Sequence, residues 1–243
     1  MTATSFEKTQ LDSLWQMENK YFNQFERVSL PLGGFNHNDF LELYQLCKEH
    51  IDKTNPTKLR IADVGCWTGM SSLLLSLLLH KIEGKVYAVD WFRGSPKTNL
   101  DFAGNYFNIK KIFDDNIIQF ESGKKIEVIE KVSTEASKDF ENESLDIVFL
   151  DADHRYIHIK RDIDLWLPKL KKGGLLCGHD CEIIFEQGIN ALYDIYNDED
   201  KAEVIHVGVC RAVTELGGKK TRSINPFTKQ ESLTSGIWYY IKP

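Results

Sequence analysis

The chain has 243 residues, 42% hydrophobic and 27% charged, enough apolar material for one sizeable core without a disulfide or metal as a folding requirement. A formal net charge of −6, with basic residues mostly in short pairs such as Lys171-Lys172 and Lys219-Lys220, argues against a nucleic-acid partner. Five irregularly spaced cysteines (Cys47, Cys66, Cys177, Cys181, Cys210), an N-terminus without an apolar signal core and a leucine run too short to cross a bilayer predict a cytoplasmic protein off the membrane.

In chain order, residues 1–57 read as a helical arm and cap. "LDSLWQMENKYFNQF" has apolar residues at roughly helical spacing, and Asn38 or Asp39 could cap a helix over "FLELYQLCKEHI" that "NPTK" ends. Residues 58–243 read as a single compact unit, since no Pro/Gly/Ser-rich linker divides them. Strands are expected in "LRIADVG", "KVYAVDWF", "KIEVIEKV", "SLDIVFLDADH" and "LLCGHD". Between them lie helices in "MSSLLLSLLLHKI", "AGNYFNIKKIFDDNIIQF", "STEASKDF" (with a Ser or Thr cap) and "YIHIKRDIDLWLPKL", the last closed by "KKGG". The segment after residue 220 could supply one or two edge strands. Five strand–helix units with continuously apolar strands predict an α/β fold, a doubly wound Rossmann-like sheet that is mostly parallel. Ligands bind such sheets at the carboxyl ends of the strands, and Asp63, Asp90, Asp151 and Asp180 all fall at those ends.

The turn after the first strand reads Gly65-Cys66-Trp67-Thr68-Gly69. A dinucleotide loop would carry a central glycine so that backbone could meet a pyrophosphate; an indole there would crowd it. The pattern better suits a phosphate-free ligand whose carboxylate reaches the helix start, near the Thr68 and Ser71 hydroxyls. Asp63 is placed to accept from an ammonium group, and Asp90 from a ribose diol. An amino acid joined to a nucleoside meets all of these, which points to S-adenosylmethionine. The plain alternative is that each glycine only shapes a turn and each Asp only caps a helix.

"IADVGCWTGMSS", "VYAVDWFRGSP", "LDIVFLDADHRYIHIKRDIDLWLPKLKKGGLLCGHD" and "GVCRAV" together resemble small class I S-adenosylmethionine-dependent methyltransferases. These are related to the cation-dependent O-methyltransferases of catechols, caffeoyl thioesters and macrolide sugars. The resemblance is close over about residues 59–181. It implies cofactor contacts at Gly65, Trp67, Gly69, Ser71 and Asp90, with Ser133 near the adenine. It also implies seven strands with the last antiparallel, a place "GIWYYIKP" would fill. Trp91 could lie against the adenine or pack in the core.

Methyl transfer needs a held nucleophile and removal of its proton. The resemblance places a divalent cation at Asp151, His179 and Asp180. His179 stands where an oxygen ligand is usual, a set that suits Mg²⁺ or Mn²⁺, and Fe²⁺ or Zn²⁺ as well. The alternative is that these carboxylates are only hydrogen-bonded. His154 is a second candidate base, or else holds its loop by a hydrogen bond; His158 reads as surface or core. Cys177 and Cys181 flank His179, but with no second cysteine pair a structural zinc is not expected. Residues 182–205 read as an insertion carrying the amphipathic helix "IFEQGINALYDIY". With the N-terminal arm and the "WFRGSPKTN" loop it is expected to wall the acceptor pocket.

The expected activity is therefore methyl transfer from S-adenosylmethionine, most readily to oxygen of a small-molecule acceptor. The rivals are an NAD(P)-dependent oxidoreductase on a similar sheet and a non-catalytic nucleotide-binding protein. The N-terminal helices could pair chains into a homo-oligomer or cap the pocket.

Overall fold

A computed structural model describes residues 8–17, 37–96, 106–184, 206–221, 223–224, 231–232 and 236–243. Helix α1 covers 8–17 and α2 His37–Thr54, followed by β1 (Lys58–Val64), α3 (Met70–Leu77) and β2 (Glu83–Asp90). Next come α4 (Ile109–Ile117), β3 (Ile126–Glu130), α5 (Ser133–Ala136), β4 (Leu145–Leu150), α6 (Tyr156–Trp166) and β5 (Leu170–Gly178). The chain closes with α7 (Val207–Leu216), β6 (Lys219–Lys220), β7 (Ser223–Ile224), β8 (Glu231–Ser232) and β9 (Trp238–Ile241).

Seven strands form one sheet in the order β3-β2-β1-β4-β5-β9-β6, and β7 pairs with β8 separately. The first five strands pair in parallel, while β9 runs antiparallel to both β5 and β6. The expected seven-stranded, last-antiparallel sheet is the one observed, with "GIWYYIKP" supplying β9. Pairing is continuous from Lys58↔Glu83 to Val64↔Val89, which brings the ends of β1 and β2 level. The winding reverses between β1 and β4, so both strand tips open onto one crevice.

Alternation along the strands builds two layers. Leu59, Ile61, Ile147, Phe149, Leu175 and Cys177 face a core shared with α1, α2 and α3. Ala62, Val64, Val148, Leu150 and Leu176 face α6 and α7, around the fully buried Trp166 and Trp238. Burial on both faces is why these strands read as unbroken apolar runs. The N-terminal helices thus share a core with the sheet.

Two local expectations are corrected. "KKGG" does not close a helix: Lys171–Gly174 lie inside β5, where the register with β4 shifts between Leu145 and Ile147 and Gly173 takes φ 74°. Gly173 N and Gly174 O pair with Lys242, so the irregular stretch is anchored to the C-terminus. No Ser or Thr side chain caps α5; its N-cap is Val132. The expected helix in 182–205 lies outside the described residues from 185 onward, as do 18–36 of the arm and 97–105 of the loop after β2.

Candidate active site

The turn after β1 is built by close approach. Gly65 adopts φ 91°, and a Cβ there would sit 2.0 Å from the Asp151 carbonyl oxygen, so only glycine lets the tips of β1 and β4 meet. Trp67, in place of a central glycine, itself takes φ 44°. That left-handed conformation costs on the order of 1 kcal/mol for a bulky residue and persists only where its surroundings enforce it. The enforcing group is Asp90: its Oδ2 accepts from Trp67 N at 2.8 Å and its Oδ1 from Phe92 N at 2.7 Å. Burial raises the Asp90 pKa, and the backbone N–H groups oppose that rise.

Asp63 lies beneath the turn. Its side chain is fully buried, with Oδ2 accepting from the hydroxyls of Ser71 (2.8 Å) and Ser72, and Oδ1 has no hydrogen-bond partner. Burial pushes its pKa up to about 7. Asp63 and Ser71 therefore brace the turn to the start of α3 from below.

Above the strand tips lies a cleft of about 470 Å³, lined by Gly65, Trp67, Asp90, Trp91, Ser133 and Asp151 among others. Thr68 and Gly69 do not line it; the Thr68 carbonyl accepts from Asn116 Nδ2 at 2.8 Å, tying the turn to α4. Trp91 is fixed at the cleft wall by Nε1 donating to Gly94 O at 2.9 Å. Ser133 accepts from Trp166 Nε1 and donates to Asp162 Oδ1, both at 2.8 Å. Asp162, raised by burial to about 6, also lines this end. His158 lies there too, its Nδ1 3.0 Å from Arg161.

Asp151 belongs to a second constellation as well. His154 Nε2 lies 3.5 Å from Asp151 Oδ1 and 3.1 Å from Asp180 Oδ2. His179 Nδ1 lies 3.8 Å from Asp151 Oδ2 and 3.4 Å from Asp180 Oδ1. Its other nitrogen, Nε2, meets Asp39 Oδ2 at 3.0 Å. Burial alone would lower the His179 pKa, but Asp180, Asp39 and Asp151 together raise it to about 10. Asp151, His179 and Asp180 thus converge, with one ligand atom from each within 4.8 Å of the others, and so do His154, Asp180 and His206.

Solved structures with the same fold include cofactor-bound Rv0187 from MTB, with a TM-score of 0.59 at 13% identity over 96% of this chain and 89% of that one. Another is the S-adenosylhomocysteine-bound methyltransferase PaMTH1 of Podospora anserina (TM-score 0.53, 14% identity, 96% and 87% covered). A third is a Staphylococcus aureus protein assigned as a caffeoyl-CoA O-methyltransferase (TM-score 0.54, 15% identity, 99% and 100% covered). Residues 62–181 match the family model of a methyltransferase domain. Over that span, just under half of its length, the chain is similar to methyltransferase domains. A curated relative of the chain, the uncharacterized protein y4gI of Sinorhizobium fredii, is 24% identical over 126 residues. The match takes 51% of this chain but spans only 13% of that protein's length.

Three residues gathered at this site, Asp39, Glu182 and His206, carry little or no signal in the order of the chain. Asp39, expected only as a helix cap, sits in the first turn of α2 and reaches His179 across 140 positions of sequence. His206 stands immediately before α7, its Nδ1 3.4 Å from Asp180 Oδ1 and 2.8 Å from Glu182 Oε1. A histidine heading the "HVGVCRAV" run was the available cue for His206, and nothing local marked Asp39 or Glu182.

Proposed function

We propose that this enzyme transfers the methyl group of S-adenosylmethionine to an oxygen of a small-molecule acceptor held beside Asp151. The observation that carries this reading is the double membership of Asp151, which lines the cleft and also belongs to the acid–imidazole cluster. Donor and acceptor would then meet at one residue. In the cleft, the Gly65–Trp67 backbone, Asp90, Trp91 and Ser133 would hold the donor. Asp90 keeps lone pairs for ribose hydroxyls beyond its two backbone bonds.

The reaction is an in-line displacement. The acceptor oxygen forms a bond to the methyl carbon as the carbon–sulfur bond breaks, the electron pair stays on sulfur, and the acceptor's proton leaves to a base. His154, 3.1 Å from Asp180 and 3.5 Å from Asp151, would take that proton, and the two carboxylates would stabilise the imidazolium it becomes. Two carboxylates and one imidazole at Asp151, His179 and Asp180 fit a divalent cation by donor chemistry and spacing. Such an ion supplies orientation of the acceptor hydroxyl and a lowered pKa for it. Asp39 would hold His179 by Nε2 so that Nδ1 faces the two acids.

Calorimetry with S-adenosylhomocysteine tests the donor half of this reading. Wild type should bind it, and Asp90→Ala should bind it at least roughly 10-fold more weakly, from loss of a charge-assisted acceptor. A wild-type titration with no heat, confirmed by equilibrium dialysis, would end the reading.

A further inference from the structure

Three imidazoles, not one, surround the paired acids. Asp180 is the hub: Oδ2 lies 3.1 Å from His154 Nε2, and Oδ1 lies 3.4 Å from both His179 Nδ1 and His206 Nδ1. These groups come from three separate places in the fold, the loop after β4, the tip of β5 and the residue before α7. Asp180 occupies a left-handed backbone position, φ 59°. His154 and His206 meet edge to face, ring centroids 4.9 Å apart. Two of these rings meet further carboxylates: Glu182 accepts from the His206 backbone N at 3.0 Å and meets its Nδ1, the nitrogen that also faces Asp180, at 2.8 Å, and Asp39 meets His179 Nε2 at 3.0 Å. Carboxylates behind imidazoles are what orients histidines at metal centres.

We infer that His154, Asp180 and His206 form a two-histidine, one-carboxylate site for a borderline transition-metal ion of the Fe²⁺, Co²⁺ or Zn²⁺ class, in preference to Mg²⁺. The inference rests on the cation reading above and revises it: two nitrogen donors join the ion, which changes which ion the pocket takes, and with His154 engaged as a ligand the acceptor's proton passes to Asp151 instead. Mg²⁺ is hard, seeks oxygen ligands and keeps its waters. Imidazole nitrogen favours the later divalent ions of the first transition row. A pocket in which acids supply every ligand would discriminate little in that direction; one ringed by histidines discriminates strongly. The shared carboxylate means that the ion sits against Asp180, with Asp151 as the neighbouring acid facing the cleft.

The test is a titration of chelator-stripped enzyme with Co²⁺, followed by calorimetry and by the visible absorption of the bound ion. Wild type should take one Co²⁺ per chain, and a roughly 1,000-fold excess of Mg²⁺ should leave it bound. His206→Ala and His154→Ala should each weaken Co²⁺ binding by at least roughly 10-fold and change its absorption. S-adenosylhomocysteine affinity, measured on the same samples, certifies that each variant is folded, because His206 and His154 do not line the donor cleft. Should an alanine variant lose that affinity, His206→Gln or His154→Gln takes its place at nearly unchanged volume. Displacement of Co²⁺ by Mg²⁺ at comparable concentration would overturn the proposal, as would unchanged Co²⁺ affinity in folded His206 and His154 variants. Failure of the wild type to bind S-adenosylhomocysteine would instead strike the methyl-transfer reading and leave the metal result standing.

Discussion

The fully buried carboxyl of Asp63 shows how much a single side chain under the turn can decide. Its folded pKa, about 7, lies above the ordinary 3.8, so the folded chain holds this proton more tightly than the unfolded one. Stability is then greatest below the unfolded value and falls as pH rises from about 4 to about 7, by something on the order of 4 kcal/mol in total. Asp63→Asn keeps an acceptor for Ser71 and Ser72 and removes the ionisation. Its melting temperature relative to wild type should therefore climb steadily across that pH window, as scanning calorimetry at successive pH values would show. A difference that ignores pH would refute the assignment. The neighbouring residues divide by how local their cues are. The places of Gly65 in the turn and of Asp90 at a strand end were legible because strand, turn and acid follow one another within about one structural unit. Asp63 is harder to place because a strand-end acid reads the same whether it faces the crevice or the helix below; alternation along β1 sends Ala62 and Val64 to one layer and Ile61 and Asp63 to the other.

At the level of elements, the turn is held from α4 as much as from β2. Asn116 is completely buried, donates Nδ2 to the Thr68 carbonyl at 2.8 Å, and leaves its own Oδ1 without a hydrogen-bond partner. Asn116→Ala removes the brace and one unsatisfied oxygen together, so the net loss of stability should be modest, about 1 kcal/mol by urea titration. S-adenosylhomocysteine affinity should fall several-fold in the same variant; full affinity would mean that the turn keeps its shape without α4. The central parallel strands and most helices could be read from their apolar patterns because they bury whole faces, whereas β3, at the sheet edge, stays only half-buried. "KKGG" could not, since a glycine that ends a helix and a glycine that kinks a strand look alike until its partner, here Lys242, is known. His206 escaped for a related reason: its neighbours in space, Asp180 and His154, precede it by 26 and 52 positions.

Across the whole molecule, Asp39 fastens α2 to the carboxyl end of the parallel strands. Asp39 is 2% exposed, accepts from Gly236 N at 3.1 Å through Oδ1 and meets His179 Nε2 at 3.0 Å through Oδ2. It therefore connects the N-terminal helices, the segment leading into β9 and the tip of β5. Asp39→Ala should cost about 3 kcal/mol, because two buried donors lose their acceptor, whereas Asp39→Asn should recover most of the loss. Thermal melts of the two variants check this, and equal destabilisation by both would show that α2 is held by its apolar face alone. No helix among the described residues is long and apolar enough to cross a membrane. The contact of Gly65 with the Asp151 carbonyl has a further consequence. At that point the cleft rests on main chain, and position 65 has no room for any side chain. Every replacement of Gly65 must therefore push β1 and β4 apart before it can reshape the space above them.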